Sequence, residues 1–476
     1  MLLRDSAIYI VARIVPSALG FATATLLTWI LPPDAYGLYG LGMAAVLLGS
    51  NVLFDWLPPS LTRWYQTHGQ DTVFLSTVLS IFVAICLGSA ALLALASALG
   101  LTYGHAREAW LLLAGTWAYA WFEFAASFQV SSFRPWRYLA MNLVRSVGIL
   151  AGSLALASMT RAAEPVLAVS FLAMAAGGCV FVADGPLRWR PVFDWSLARS
   201  LVAFGAPMGL TMILLGLTTS INRVLLGVLS TNAAVGAFTI TVTLVQSSMG
   251  VIAVGIGAAS YSAAVRAVES GDAAAAQAQL RRNYTVLLAL LLPAGTGLAL
   301  LAPRIATLLI SPAYHEAVVL ATPWLAAVAI LMGLRAYYVD TAFQLGKRPG
   351  LLAQVMGVSA TVNVVLAVAL IPRFNYLGAC AAMCVAFTVA FLHALFLARR
   401  AYALPFPPGE TARVVLATVV MAAALVVTRS WPGLAGLASS IGVASCVYTV
   451  VAVTLNILGL RGSMRERWDA RRVTSA

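Results

Sequence analysis

Four arginines fall where a sequence this apolar leaves little room for charge. Arg13 interrupts "AIYIVARIVPSALGFATATLLTWIL" (residues 7–31), and Arg145, Arg223 and Arg335 lie within or near the ends of comparable stretches. A guanidinium at the centre of a membrane-spanning helix costs about 2.5 to 3.5 kcal/mol on insertion scales, so each demands a neutralising acid, a wet cavity or an anionic ligand. The chemistry they offer is anion recognition, because the planar fork matches phosphate or carboxylate oxygens two at a time. The plainer alternative is a long side chain reaching back to the interface. Three acids, Asp55, Glu123 and Asp340, share these stretches. Each has two readings: a salt bridge or cap, or a site that carries a proton or sodium ion during coupling. Glu123 and Arg145 read first as a structural pair. Asp340, about a turn and a half beyond Arg335, reads as a partner for another basic group at the cytoplasmic mouth.

The elements that must position these residues follow from composition. The chain has 476 residues, 61% hydrophobic and 9% charged, whereas soluble domains are roughly a quarter charged. Apolar stretches repeatedly exceed the ~20 residues that a helix needs to cross hydrocarbon, and alternating barrel strands are absent from the pattern. Hydropathy and Pro/Gly breakers predict an all-α polytopic membrane protein of about fourteen spans, with no intervening loop long enough to fold as a domain. The first span is read as retained, because its apolar run is too long for a signal peptide and only Arg4 precedes it.

Orientation follows from charge. With both termini in the cytoplasm, twenty basic residues fall on the inner side and five (Arg107, Arg161, Arg304, Arg373 and Arg429) on the outer side. That asymmetry fits a multi-pass protein of a bacterial cytoplasmic membrane. It also accounts for the net charge of +13 through topology and attraction to anionic lipid headgroups, without nucleic acid as a partner. Counted from the inner ends at ~1.5 Å per residue, Arg13, Glu123, Arg145 and Arg335 lie roughly 8 to 12 Å deep, and Arg223 lies near the opposite face. Arg13 has no obvious acid on its own helix, so Arg13 and Arg335 are the better candidates for gripping an anion.

Other chemistries have little to stand on. Cys86, Cys179, Cys380, Cys384 and Cys446 all lie in predicted spans without a metal-ligand pattern, and the four histidines are scattered; no metal and no cofactor is expected. The outer turns "LTYGHAREA" and "SPAYHEA" hold one acid each, too few for the paired carboxylates of a membrane glycosyltransferase or polymerase. No catalytic residue is assigned.

Internal duplication sets the domain scheme. "PPDAYGLYGLG" after the first span corresponds to "TNAAVGAFTIT" after the seventh, and the opening span of each half carries a proline, Pro16 and Pro207. Interrupted helices at matching positions point to a transport site, while the plainer reading is an ordinary kink. The scheme is a six-helix bundle over 1–199, a second over 200–400, two extra spans over 401–460 and a basic tail over 461–476.

In this order the chain resembles the Wzx-type oligosaccharide flippases of the multidrug/oligosaccharidyl-lipid/polysaccharide exporter superfamily. The likeness rests on "LPPDAYGLYG", "FGAPMGL", "INRVLLGVLSTNAAVGAF", "LLISPAYHEA", "QLGKRPG" and "NVVLAVALIPRFNYLGACAA", and covers about the first 400 residues. Asn222 stands where an aspartate often precedes the arginine, and Phe238 where a tyrosine commonly follows the glycine. The first departure weakens any ion coupling through that position. The resemblance implies two MATE-like bundles around a cationic cavity that opens alternately to each side, carrying a polyprenyl-diphosphate-linked oligosaccharide between leaflets. Membrane lipids, a polysaccharide polymerase and chain-length or export proteins are the implied partners. Aromatics in "WAYAWFEF" and "SFQVSSFRPWRY" could stack on sugars or form an interfacial belt. The alternatives are a multidrug or peptidoglycan-precursor exporter of the same superfamily, a membrane glycosyltransferase or polymerase, and a non-transporting scaffold.

Overall fold

The computed structural model describes residues 2–69, 71–180, 192–269, 272–348 and 350–459. The basic tail over 461–476 lies outside these residues, as do Arg188 and Arg190 of the charge count. Among the described residues the regular elements are all helical, the arrangement that lets each segment satisfy its own backbone groups in lipid. The protein is a polytopic all-α membrane protein.

The chain divides into two compact units, the first Met1–Ile240 with Asn363–Ala379, the second Thr241–Val362 with Cys380–Ala476. The first unit begins with α1 (Leu2–Ile30), α2 (Pro33–Leu53), the short amphipathic α3 (Leu57–His68) and α4 (Thr72–Ala98). It continues through α5 (Ala106–Ser131), α6 (Pro135–Thr160), α7 (Ala163–Cys179), α8 (Trp195–Thr219) and α9 (Ile221–Leu229) into the first turns of α10 (Asn232–Glu269). Here α6 packs along α1 and α7, and α5 lies against α2, α3 and α7. Phe54, Phe74, Phe82, Phe122, Phe124 and Phe128 fill the core between α2, α4 and α5, with Trp117 and Trp121 packed at its edge. Most of "WAYAWFEF" is therefore bundle core rather than a surface offered to sugars. Phe133 and Trp136 of the second aromatic run are exposed, as an interfacial belt requires.

The two segments read as repeats of one another in the sequence meet within this unit. A Cβ at Gly37 of α2 would lie 1.7 Å from the Asn232 carbonyl oxygen at the start of α10, and one at Gly40 would lie 2.5 Å from Thr239 Oγ1. These glycines let the two helix backbones touch, the usual means of close packing where lipid provides no hydrophobic drive.

The second unit is built on α11 (Ala273–Leu309), with α12 (His315–Leu334), α15 (Pro408–Thr428) and α16 (Gly433–Thr454) around it. A π-helical turn, Arg335–Val339, continues α12 into α13 (Thr341–Leu345). Gly350–Ala401, α14, contributes Asn363–Ala379 to the first unit and bends within that stretch at Asn375, where φ is +53°, three residues after Pro372. Arg304 of α11 fastens the α15–α16 turn, donating to Ser440 Oγ at 2.9 Å and to the Trp431 carbonyl.

Eleven of these helices are long and apolar enough to cross a membrane. Splitting α14 at its bend and adding α5 and α7 accounts for the fourteen predicted spans. α7 is short at 17 residues, and α5 carries Glu123 with Trp117, Tyr119 and Trp121, which lowers its hydropathy without shortening it.

Candidate functional site

In the first unit, α1, α5 and α6 bring together residues that sequence depth alone set at one level. Tyr9 and Tyr138 pack ring to ring at 5.6 Å, fixing α1 beside α6. One turn beyond Tyr9 stands Arg13, and two turns beyond Tyr138 stands Arg145. Arg145 Nη1 lies 4.0 Å from Glu123 Oε1, its guanidinium covers the Phe122 ring at 4.1 Å, and Nη2 donates to Asn142 Oδ1 at 3.3 Å. Glu123 is half-buried and lies within the electrostatic reach of Arg145, Asp55 and Arg13. Asp55 sits in the turn between α2 and α3, accepting from Ser50 Oγ at 2.7 Å.

The cluster thus holds two arginines and two carboxylates that differ in freedom. Arg145 is held three ways: by an acid at the limit of an ion pair, an aromatic face and an amide. Arg13 is exposed and, among the described residues, has no carboxylate within 4.0 Å. It is the less engaged guanidinium of the two.

Arg223, for which the sequence left an interfacial and an interior placement open with a slight preference for a functional role, is 8% exposed and its Nε has no hydrogen-bond partner. The cause is the short α9, which turns the residue inward beside the Tyr36 ring of α2. Next to it, Asn222 and Asn363 exchange amide hydrogen bonds at 3.2 and 3.3 Å, and Asn363 Nδ2 also lies 3.3 Å from the Leu217 carbonyl oxygen. The position where the resembling family often has an aspartate is therefore half of a neutral, fully buried amide pair.

In the second unit, Asp340 pairs with Arg335 itself, Nη1 to Oδ2 at 3.2 Å, and not with another basic group at the mouth. The π-turn is the reason. An i, i+5 spacing places residues on one face when the turn is widened, and the Asp340 amide donates to the Arg335 carbonyl at 2.8 Å. Arg335 is 3% exposed, with Met356 Sδ 3.5 Å from Nη1, so in this conformation its charge is occupied. Asn283 of α11 donates to the Tyr337 carbonyl at 3.0 Å, supplying a partner within the widened turn.

Pro16 and Pro207 both lie inside continuous helices, α1 and α8. Each removes the backbone bond to the carbonyl four residues earlier, at Ala12 and Ala203. Pro16 is buried and Pro207 exposed.

Sequence reasoning missed Asn363 and Asn283. A lone amide in an apolar helix is a signal in both cases, since such residues join helices in membranes. Their partners, 141 and 54 residues away, are visible only in the fold. Among the described residues no cluster of histidine, cysteine or acid could hold a metal ion.

A helical membrane bundle with buried arginines and glycine-mediated helix crossings defines the class, and comparison with solved structures sharpens it. The fold is similar to that of the lipid II flippase MurJ in its inward closed conformation, with a TM-score of 0.76 and 14% identity over 94% of this chain and 98% of that one. An inward-facing MATE multidrug resistance transporter of the MOP superfamily is similar at TM-score 0.58 and 14% identity, over 83% and 94%. A MOP superfamily transporter from Pyrococcus furiosus gives 0.55 and 14%, over 82% and 95%. No curated protein matches the sequence. Residues 2–262 match the model of the polysaccharide biosynthesis protein family, and the chain belongs to that family.

Proposed function

We propose that the protein is a flippase that moves a polyprenyl-diphosphate-linked oligosaccharide across the bacterial cytoplasmic membrane, supplying O-antigen, capsule or exopolysaccharide synthesis. The family match over 2–262 carries the reading, because it links the chain to polysaccharide synthesis while its fold is that of membrane transporters. The physical need is clear: neither a diphosphate nor a row of sugar hydroxyls enters hydrocarbon without a large desolvation cost. Alternating access through a cationic central cavity offsets that cost with fixed positive charge and water. No covalent bond forms or breaks, so the protein acts as a transporter and not an enzyme.

Arg13 is the proposed first ligand of the diphosphate, being unpaired by any described carboxylate. Arg145 is the second, with Glu123 and Asp55 balancing its charge when cargo is absent. In the second unit, Arg335 is a candidate anion ligand once Asp340 releases it, and Asp340 is then free to take a proton or sodium ion. Arg223 serves as a buried fixed positive charge nearer the opposite face, and Pro16 and Pro207 provide flexible points in the opening helices.

A second reading is a multidrug or peptidoglycan-precursor exporter, favoured by the likeness to MATE transporters. A cation exporter calls for an acid on the first span, where α1 has an arginine in the described cluster. Purified protein in liposomes distinguishes the readings. It should translocate a fluorescent polyprenyl-diphosphate oligosaccharide, leave its sugars unpolymerised and fail to move a lipophilic cationic dye. Dye transport with no lipid translocation would favour the exporter, and sugar polymerisation would favour the glycosyltransferase or polymerase.

A further inference from the structure

A second basic feature uses none of the residues assigned above. At the start of α11 a pocket of about 670 Å³ opens between α11, α15 and the turn at residues 457–459, with Arg281, Arg282, Gln277 and Thr285 on one wall and Glu410 on the other. Both arginines are exposed, and neither has a carboxylate within 4.0 Å among the described residues. The acid in the wall is half engaged: Glu410 Oε1 lies 3.1 Å from Arg413 Nη1 while its Oε2 has no hydrogen-bond partner, so two guanidinium groups face one already paired carboxylate. The pocket is therefore positive. Its frame is fixed, because Asp272 caps α11 through the Ala275 amide at 2.9 Å and Gln277 Nε2 donates to the Ala403 carbonyl at 2.8 Å.

Its level relative to the membrane identifies the ligand class. α11 has 37 residues, about 55 Å of helix, whereas the hydrocarbon core needs only ~30 Å. The excess carries its first turns into the headgroup layer. Next to Arg281 and Arg282, the buried Tyr284 packs against Tyr338 at 5.0 Å and against the exposed Phe406 at 5.5 Å, tying the pocket's helix to the segment before α15. A positive pocket with partly apolar walls at that level meets phospholipid phosphates, each suited to a guanidinium fork.

We infer that this pocket binds the phosphate headgroup of an anionic phospholipid from the adjoining leaflet, at a site separate from the transport cargo. The inference does not depend on the transport reading. Its test uses the full-length protein, delipidated in detergent and titrated with dioleoyl phosphatidylglycerol, dioleoyl phosphatidylcholine or inorganic phosphate, with bound lipid counted by native mass spectrometry. Phosphatidylglycerol should bind saturably and phosphatidylcholine at least tenfold more weakly. The double variant Arg281→Gln/Arg282→Gln should lose at least tenfold in phosphatidylglycerol affinity. The control Arg399→Gln/Arg400→Gln, outside the pocket, should keep it. Unchanged affinity in the first variant, equal binding of the two lipids, or full displacement by millimolar inorganic phosphate, the mark of a free-anion site, would overturn the proposal. Gel filtration checks folding, and if the glutamine variant is not monodisperse, Arg281→Lys/Arg282→Lys with the phosphate competition decides in its place.

Discussion

At the scale of single residues, the arginines of the first unit divide by what already holds them. Arg145 stacks on Phe122, bonds Asn142 and lies at the edge of a pair with Glu123, so Arg145→Ala should cost about 1 to 2 kcal/mol of stability. Arg13 is exposed, and Arg13→Ala should stay within about 0.5 kcal/mol. Thermal unfolding of both variants in detergent checks the contrast; a larger loss for Arg13→Ala than for Arg145→Ala would contradict it. The common level of Arg13, Glu123 and Arg145 was legible from counting along predicted spans, because a straight helix converts residue number to depth. For Arg223 the sequence left interior and interface nearly balanced. A break between α8 and α9 resets the helical phase there, and no residue count carries through such a break. The amide pair was half legible, in that Asn222 stood out by its departure from the resembling pattern while Asn363 needed the fold.

At the scale of elements, two local devices carry testable consequences. The first is the π-turn that joins Arg335 to Asp340. Removing one member of a buried pair strands the other charge, so Asp340→Ala should destabilise by about 3 to 5 kcal/mol, whereas Arg335→Met with Asp340→Leu should cost much less. Equal losses for the single and double variants in thermal unfolding would exclude the pairing. Sequence reading proposed a different partner for Asp340 because i, i+5 residues diverge on a regular α-helix, and a π-turn leaves no periodic trace. The second device is the glycine contact between α2 and α10. Gly37→Ala forces a methyl onto the Asn232 carbonyl and should cost about 1 to 3 kcal/mol. Gly20→Ala in α1 meets nothing within 4 Å and should be neutral or stabilising by about 0.5 to 1 kcal/mol. A lower unfolding temperature for the Gly20 variant than for the Gly37 variant would contradict this. The motif "PPDAYGLYG" was legible as a repeat; that its glycines are seats for the matching repeat follows only from seeing the helices cross.

At the scale of the whole molecule, the fold class was open to sequence reading because a bilayer imposes one length and one composition on every span. Fourteen spans follow from hydropathy where the eleven apolar helices, the bend at Asn375, α5 and α7 are taken together. The arrangement of charge predicts a topology that is directly measurable. In a cysteine-free background, Thr102→Cys and Arg429→Cys should react with an impermeant thiol reagent from outside intact cells, and Lys347→Cys only after permeabilisation. The reverse pattern would invert the protein and place the arginines proposed to bind the diphosphate on the wrong side for a cargo made in the cytoplasm. The account as a whole rests on a guanidinium meeting a diphosphate. Its most direct measurement is translocation in proteoliposomes of one oligosaccharide linked through diphosphate or through monophosphate, by the unaltered protein and by Arg13→Ala and Arg13→Lys. The account predicts preference for the diphosphate donor, loss with alanine and partial activity with lysine, which keeps the charge but not the fork. Full translocation by Arg13→Ala with no discrimination between the two donors would contradict it.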